Sequence, residues 1–380
     1  MRDKCGMDVK KFVEILGSDY YAGVPDSQLR ALCDYLMDTY GIDPLHHVIA
    51  ANEGNGTALA AGYHLATGKI PVVYMQNSGE GNAVNPVVSL LSSEVYAIPV
   101  IFVIGWRGEP GVKDEPQHIH QGRITLKILE DMGVSSYIIN KETVEDEIIA
   151  AMEGFRKELA AGRDVAFVVR KGALSYKKKI KYQNGNQLTR EEVLRYIVKY
   201  SGKDPVVSTT GKASRELFEI REAGSKEHKY DFMTVGSMGH SSSIALGIAQ
   251  QKPDTKIWCV DGDGAVLMHM GALALIGANA PKNMIHIVIN NSAHETVGGM
   301  PTVAGKMDLT AIAKACGYRY AISVDDHREL EKELETVRLR NELALIEVKC
   351  AVGSRSDLGR PTTSAVQNKE GFMDYLMKLK

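Results

Sequence analysis

Residues 256–291 admit few folds. Lys256 to Val260 is a short apolar run that stops at Asp261, and Ala265 to Ile276 carries apolar residues at helical spacing until the breakers Gly277, Asn279 and Pro281. Met284 to Ile289 then reads as a second strand, buried on both faces. A right-handed strand-helix-strand unit ends both strands on one edge of a parallel sheet, where ligands of such folds bind. Asp263, in the turn Gly262-Asp263-Gly264, and Asn291, second of an Asn-Asn pair, are therefore predicted to meet at that edge. A carboxylate and an amide oxygen brought together suit a hard divalent cation, since magnesium takes oxygen ligands and commonly shares them with substrate phosphates. Gly262 and Gly264 let backbone approach a bulky anion, and a helix opening at Ala265 offers free amides to a phosphate. An ordinary tight turn after a strand is the competing reading.

The same alternation runs through the rest of the chain, which predicts an α/β protein of two doubly wound parallel-sheet domains. In the first half, Tyr20 to Val24 is a strand leading to Asp26 and Ser27, either of which suits the cap of the next helix. His47 to Ala51 delivers Glu53 to the start of a small-residue helix closed by Gly68, a position the helix dipole favours for any glutamate. A helix from about Gly79 to Tyr96 follows the next strand. The segment 107–122, rich in proline, glycine and acidic residues, is predicted to be a long loop carrying His118 and His120. Residues 1–182 form the first predicted domain, the polar stretch 183–190 a linker, and 191–380 the second domain. There, Val206 to Ser208 is a strand ending in Thr209-Thr210-Gly211, hydroxyl and glycine chemistry suited to phosphate oxygens, and Ser214 caps the following helix.

Composition narrows the function classes. The 45 basic and 47 acidic residues nearly balance and no block of like charge stands out, which argues against nucleic acid as the main partner. The five cysteines, Cys5, Cys33, Cys259, Cys316 and Cys350, show no metal or redox spacing and read as small core residues of a reducing compartment. The longest apolar runs fall short of the roughly 18 residues of a membrane span, and the amino terminus has no apolar signal core, so a soluble cytoplasmic protein is expected. No strand is followed by Gly-x-Gly-x-x-Gly, which disfavours a nicotinamide-dependent dehydrogenase.

With 25 residues between Gly264 and Asn290, the stretch resembles the cofactor signature of thiamine diphosphate enzymes, Gly-Asp-Gly followed by Asn-Asn. The resemblance implies that Asp263, the Asn291 side chain and the Ala293 carbonyl hold magnesium, with Thr210, Gly211, Gly262, Gly264 and Ala265 around the diphosphate. The first half then resembles the pyrimidine-binding domain of the same enzymes, and Glu53, in ANEGNGTALAAGY, matches the glutamate that touches the aminopyrimidine. A carboxylate there stabilises the protonated ring and the imino tautomer that takes the thiazolium proton. Gly236 and Met238, in VGSMGH, match the carbonyl that holds the exocyclic nitrogen and the apolar wedge that bends the cofactor.

The pieces GVPDSQL, NEGNGTALAAGYHLATGK, NSGEGNAVNP, DEPQHIHQG, TTGKASRELF, NNSAHETVGGMPTV and SRSDLGRPTT together resemble the phosphonopyruvate decarboxylase family, and the sulfopyruvate decarboxylases more loosely. That implies conversion of 3-phosphonopyruvate to phosphonoacetaldehyde and carbon dioxide, a step in making 2-aminoethylphosphonate. It also implies a homodimer or larger homo-oligomer with sites at subunit interfaces, and no central third domain. Candidates for the proton chemistry are Asp26, His118, His120 and His294. Ser27 is a candidate substrate contact, and Arg355 and Arg360 are expected to anchor the phosphonate from a mobile loop, because arginine's planar fork suits its oxygens.

Overall fold

Unbroken apolar runs such as VVYM, IFVI and AFVV in the first half, and IWCV and MIHIVI in the second, form strands buried on both faces. A computed structural model describes residues 6–379 and divides the chain into two compact units, Met1–Lys181 and Tyr182–Lys380. Cys5 lies outside the described residues. In the first unit, β1 (Tyr21–Gly23), β2 (His47–Ile49), β3 (Val72–Gln76), β4 (Ile101–Gly105), β5 (Ser135–Ile139) and β6 (Val165–Val169) form one parallel sheet in the order β2-β1-β3-β4-β6-β5. In the second, β7 (Val206–Ser208), β8 (Asp231–Met233), β9 (Ile257–Gly262), β10 (Met284–Asn290), β11 (Tyr320–Val324) and β12 (Ala344–Lys349) follow the same plan, β8-β7-β9-β10-β12-β11.

Helices return the chain between parallel strands, as they must. The first unit uses α1 (Val9–Leu16), α2 (Arg30–Thr39), α3 (Glu53–Thr67), α4 (Glu80–Pro86), α5 (Pro116–Asp131) and α6 (Glu145–Ala160). The second uses α7 (Arg190–Ser201), α8 (Lys212–Ala223), α9 (Ser241–Gln251), α10 (Asp263–Met268), α11 (Gly271–Asn279), α12 (Leu309–Cys316), α13 (His327–Leu339) and α14 (Ala365–Leu376). Alternate strand residues feed separate cores. Trp258, Val260, Ile285 and Ile287 pack with α7, α8 and α13, while Cys259, Met284 and Val288 pack with α9, α11 and α12. In the first unit Phe167 meets Phe12 of α1 and Phe155 of α6 edge-on, at 5.4 and 5.1 Å between centroids, contacts worth about 1 kcal/mol each beyond area burial. Among the described residues no helix is long and apolar enough to cross a membrane.

Four local expectations change. Neither Asp26 nor Ser27 caps α2, which starts at Arg30. Asp26 is fully buried and instead accepts Gln28 N at 2.8 Å. Ser214 lies inside α8, not at its cap, because Gly211 takes φ 83° and turns the chain three residues earlier. The helix expected over 265–276 is two, α10 and α11, separated at His269, whose φ of −133° and ψ of 49° leave helical space. The helix after Gly79 is α4 followed by one wide turn, Val87–Leu91, in which Ser92 N reaches back to Val87 O at 2.9 Å.

The expected loop 107–122 ends early: α5 begins at Pro116, so His118 and His120 sit in its first turns. Proline at a first helical position sacrifices no hydrogen bond, and Gly122 packs backbone on backbone instead of breaking the helix. A Cβ at Gly122 would lie 1.9 Å from Gly108 O and 2.6 Å from Arg107 O. Gly122→Ala should therefore lower unfolding stability by about 1–3 kcal/mol, as overpacking does. Gly154→Ala in α6, whose Cβ would meet nothing within 4 Å, should be neutral or stabilising by up to ~1 kcal/mol. Urea midpoints of the two variants check this, and equal midpoints would contradict the packing role.

Candidate active site

The register Gly262↔Ile289 between β9 and β10 brings Asp263 and the Asn290-Asn291 turn to one edge. Asn290 shapes that turn: its Oδ1 accepts Ser292 N at 2.9 Å and Ser292 Oγ at 3.1 Å, while its Nδ2 donates to Glu347 Oε1 at 2.7 Å. Ser292 thereby holds φ at 56°, a left-handed conformation that a serine adopts only when its surroundings dictate it. Asn291 Nδ2 donates to Glu295 Oε2 at 2.8 Å, and its Oδ1 accepts Ala293 N at 3.1 Å. Ala293–His294 then pairs antiparallel with Met300–Pro301, which returns Thr302 to the turn. Thr302 N donates to Ser292 O at 2.9 Å and Thr302 Oγ1 to Asp263 Oδ2 at 2.5 Å, so one residue ties the carboxylate to the turn. Asn290 and Thr302 were not assigned roles from sequence. Their only signal was a place inside the pieces NNSAHETV and GGMPTV.

The groups at this edge fit a hard cation. Asp263 is 5% exposed, and burial pushes its carboxyl up to about 6 against the Thr302 hydrogen bond. A divalent ion would compensate that charge with carboxylate, amide and carbonyl oxygen donors from Asp263, Asn291 and Ala293. Gly264 is a cradle: a Cβ there would lie 3.3 Å from Met238 Cε and 3.4 Å from the His294 ring. Gly262 faces open space, and Ala265 O comes within 2.8 Å of a Cβ placed on Gly239. The expected helix amides at Ala265 belong to α10, which starts at Asp263 and spans only six residues, too short for a large dipole. Thr209 N donates to Val260 O at 2.7 Å, which draws Thr210 and Gly211 to the same edge. The segment of Gly236 and Met238 is bent by Ser237 at φ 56° and Gly239 at φ 89°. His294 is 9% exposed, and burial pushes its imidazole down to about 4, so it is neutral at physiological pH.

The first unit gathers its polar groups at the matching edge. Asn52 caps α3 by accepting Asn55 N at 2.8 Å, which places Glu53 on the first turn, 5% exposed. Glu53 Oε2 accepts Asn82 Nδ2 at 2.7 Å, and its carboxyl lies so close over Gly79 that a Cβ there would be 2.4 Å from Oε1. Burial raises the Glu53 carboxyl above the usual range despite the Asn82 bond. Asp26 lies over Gly105 in the same way, with a would-be Cβ 2.1 Å from Oδ2, and Gln76 Nε2 donates to its Oδ1 at 2.6 Å. Burial raises Asp26 too, against the bonds from Gln76 and Gln28 and the nearby Arg107 charge. Arg107, which sequence reasoning passed over, donates Nε to Asp114 Oδ2 at 2.8 Å and Nη1 to Ser27 Oγ at 3.2 Å. His118 is half-buried and held neutral by burial and by Arg107, whereas His120 is exposed. The strand-borne His47 is structural, bonded to Tyr74 OH at 2.9 Å and Gly41 O at 2.8 Å.

The segment around Arg355 differs from expectation. Arg355 donates to Glu191 Oε2 at 2.9 Å, pairs with Asp357 at 3.2 Å and also contacts Glu219, so its fork is already filled with carboxylates. Arg215 donates Nε to Gly359 O at 2.6 Å, fastening the segment to α8. An uncommitted cation on a mobile loop is thus not what Arg355 provides, and Arg360 also has an interaction of its own. The polar stretch 183–190 is likewise attached to the second unit, with Asn184 Nδ2 donating to Asn291 O and to Cys350 O, both at 2.9 Å.

The raised Asp263 carboxyl has a measurable sign. An acid whose folded pKa lies above its unfolded value stabilises the fold while protonated. That contribution is complete below pH about 4 and lost as pH rises through about 6. In metal-free protein, Asp263→Asn should gain ~3 kcal/mol of unfolding free energy relative to the parent between pH 4 and pH 7. Urea unfolding of both proteins across that window checks it, and a constant difference would show that Asp263 does not titrate there.

Residues 8–129 match the family model described as thiamine pyrophosphate enzyme, N-terminal TPP binding domain, and residues 209–348 match thiamine pyrophosphate enzyme, C-terminal TPP binding domain. Phosphonopyruvate decarboxylase of Streptomyces viridochromogenes is 33% identical, covering 95% of this chain and 92% of that protein. Phosphonopyruvate decarboxylase of Streptomyces hygroscopicus is 31% identical over 95% of the chain and 91% of its own length. Sulfopyruvate decarboxylase of Methanosarcina acetivorans is 27% identical, over 89% and 90%. With both cofactor-domain models matched and near full-length likeness to named decarboxylases, the chain belongs to the phosphonopyruvate decarboxylase family of thiamine pyrophosphate-dependent carboxy-lyases.

Proposed function

We propose that the protein decarboxylates 3-phosphonopyruvate to phosphonoacetaldehyde and carbon dioxide, using thiamine diphosphate held by magnesium. The observation that carries the cofactor assignment is the buried Asp263 carboxyl tied through Thr302 to the Asn291 turn. The substrate assignment rests on the two phosphonopyruvate decarboxylases at 33% and 31% identity, against 27% for the sulfopyruvate enzyme. Thiamine diphosphate, when bound, supplies a nucleophilic thiazolium carbon and a sink for the electron pair released as carbon dioxide leaves a 2-oxo acid.

Asp263, Asn291 and the Ala293 carbonyl would hold the magnesium, and Thr210, Gly211, Gly262, Gly264 and Ala265 would line the diphosphate. Gly236 and Met238 would hold the pyrimidine end and set its bend. With Oε2 engaged by Asn82, Glu53 would keep a proton at Oε1, where burial favours the protonated carboxyl. Asp26, also raised by burial, is positioned by Gln76 and Gln28 to return a proton to the carbon that has lost carbon dioxide, and His118 and His294, each shifted toward the neutral form by burial, are the other candidates for that role. Ser27, bonded to Arg107, is the nearby substrate contact. Arg355, committed to three carboxylates, is assigned to fastening its own segment.

A coupled assay for phosphonoacetaldehyde, with and without magnesium and cofactor, tests the reaction. Turnover of sulfopyruvate in preference to phosphonopyruvate would replace the substrate and leave the mechanism. Asp263→Ala and Asn291→Ala should each abolish magnesium-dependent binding of thiamine diphosphate in calorimetric titrations, because each removes a hard oxygen ligand beside the diphosphate charge. Tight binding by both variants would sink the metal assignment.

We further propose a homodimer or larger assembly in which Glu53 and Asp263 of different subunits complete one site. Glu53→Gln should slow proton exchange at the thiazolium carbon by about 10²-fold or more. Mixing Glu53→Gln with Asp263→Ala chains should restore part of the turnover neither shows alone. No recovery despite demonstrated subunit exchange would count against a shared site.

A further inference from the structure

Asn291 is useful to a cation only if its carbonyl oxygen, and not its NH2 group, faces the metal. The two ends of an amide are nearly the same size, so packing alone does not choose between them. Two bonds choose here: a 3.1 Å bond from Ala293 N to the amide oxygen within the turn itself, and, on the NH2 side, a shorter one to Glu295. Asn291 Nδ2 donates to Glu295 Oε2 at 2.8 Å, and a carboxylate accepts hydrogen bonds without donating any. Glu295 is itself held from two other elements: Arg190 Nη1, at the start of α7, donates to Oε2 at 2.9 Å, and Lys212 Nζ, at the start of α8, donates to Oε1 at 2.9 Å. Arg190 is in turn gripped by Glu216 of α8, through Nε at 2.8 Å and Nη2 at 2.7 Å.

These groups are nearly sealed from water, with side-chain exposures of 8% for Arg190, 8% for Glu295 and 1% for Glu216; Lys212 keeps 24%. One guanidinium and one ammonium meet two carboxylates, so the cluster is neutral as a whole. Burial works against the Glu295 charge, yet Arg190 and Lys212 hold its carboxyl below the usual range. The cluster touches neither Asp263 nor Ala293 by hydrogen bond among the described residues. Its link to the metal turn is the Asn291 amide.

We infer that Glu295 is a positioning residue for the cation: an acceptor locked between Arg190 and Lys212 that fixes the Asn291 amide with its oxygen turned to the metal. This inference rests on the proposed magnesium and thiamine diphosphate site and deepens it. Loss of a group that orients a metal ligand typically weakens metal affinity by about 10–100-fold. A glutamine at 295 offers both a donor and an acceptor, so only the 3.1 Å bond from Ala293 N would still resist turning the Asn291 amide over to present its NH2 group.

The test measures binding of Mn2+, a stand-in for magnesium, by paramagnetic resonance in the presence of thiamine diphosphate, with thermal unfolding of the metal-free proteins beside it. Glu295→Gln should lose about 10–100-fold in Mn2+ affinity. The swap Asn291→Asp with Glu295→Gln moves the negative charge to position 291, where a carboxylate presents an oxygen whichever way it turns and accepts from the new glutamine. That swap should recover affinity to within a few-fold of the parent. Unchanged affinity in Glu295→Gln overturns the inference, as does a folded swap protein that stays metal-blind, since a purely structural role would leave it so. Where Glu295→Gln alone does not fold, the swap decides by the same two outcomes. A parent protein that binds no Mn2+ with thiamine diphosphate defeats the proposed cofactor site itself, a result distinct from failure of the Glu295 role.

Discussion

Burying a carboxylate without a counter-charge is unfavourable, and this chain nonetheless does so at several places along its sheet edges. Asp26, Glu53 and Asp263 are each 5% exposed or less, and burial raises each above the ordinary carboxylate range. Glycine makes two of these positions possible. Gly79 and Gly105 have no Cβ, so the carboxyls of Glu53 and Asp26 rest directly on backbone. Where the protein needs a buried acid to stay charged, it supplies a cation instead, as with Arg190 and Lys212 around Glu295 or Arg107 beside Asp114. Burial thus raises Asp26, Glu53 and Asp263, whereas their cations hold Glu295 and Asp114 below the usual range.

The parallel sheet explains why these acids gather where they do. Crossover connections put every strand's carboxyl end on one edge, so residues far apart in sequence become neighbours without a dedicated scaffold. Thr302 reaches Asp263 across 39 positions, and Gln76 reaches Asp26 across 50. In each case the contacting residue lies within a few positions of a strand end or hairpin.

That geometry also sets what the sequence could disclose. Strand and helix order were legible because the apolar runs and the glycine and proline breakers are strong local signals. Asp263 and Asn291 were singled out by spacing and resemblance together, and Glu53 by resemblance alone. The misreadings share one cause. Pro116 and Gly122 read as loop residues because each disfavours a helix interior, yet one sits at a first turn and the other packs on Gly108. Arg355 read as an available cation because its partners, Glu191 and Glu219, lie on α7 and α8, more than 130 positions away. Asn290, Glu295 and Thr302 were silent for the same reason: a positioning residue is defined by what it touches, and no local pattern marks that.

The two units make the distinction between scaffold and chemistry concrete. Their strand orders are identical, yet equivalent strand ends carry different residues. The first strand of one sheet leads to buried Asp26 and that of the other to Thr209-Thr210-Gly211. The third leads to Asn77 and Gly79 in one unit and to Asp263 in the other. The fourth leads to Arg107 in one and the Asn290-Asn291 turn in the other. A sheet edge offers positions but does not dictate their occupants. In the first unit the occupants are buried acids over glycine, raised above the usual carboxylate range, which suits proton transfer. In the second they present hard oxygens with the Asn291 amide pinned by Glu295, which suits a cation and its phosphates. One strand order used twice thus carries two different sets of polar residues at equivalent strand ends.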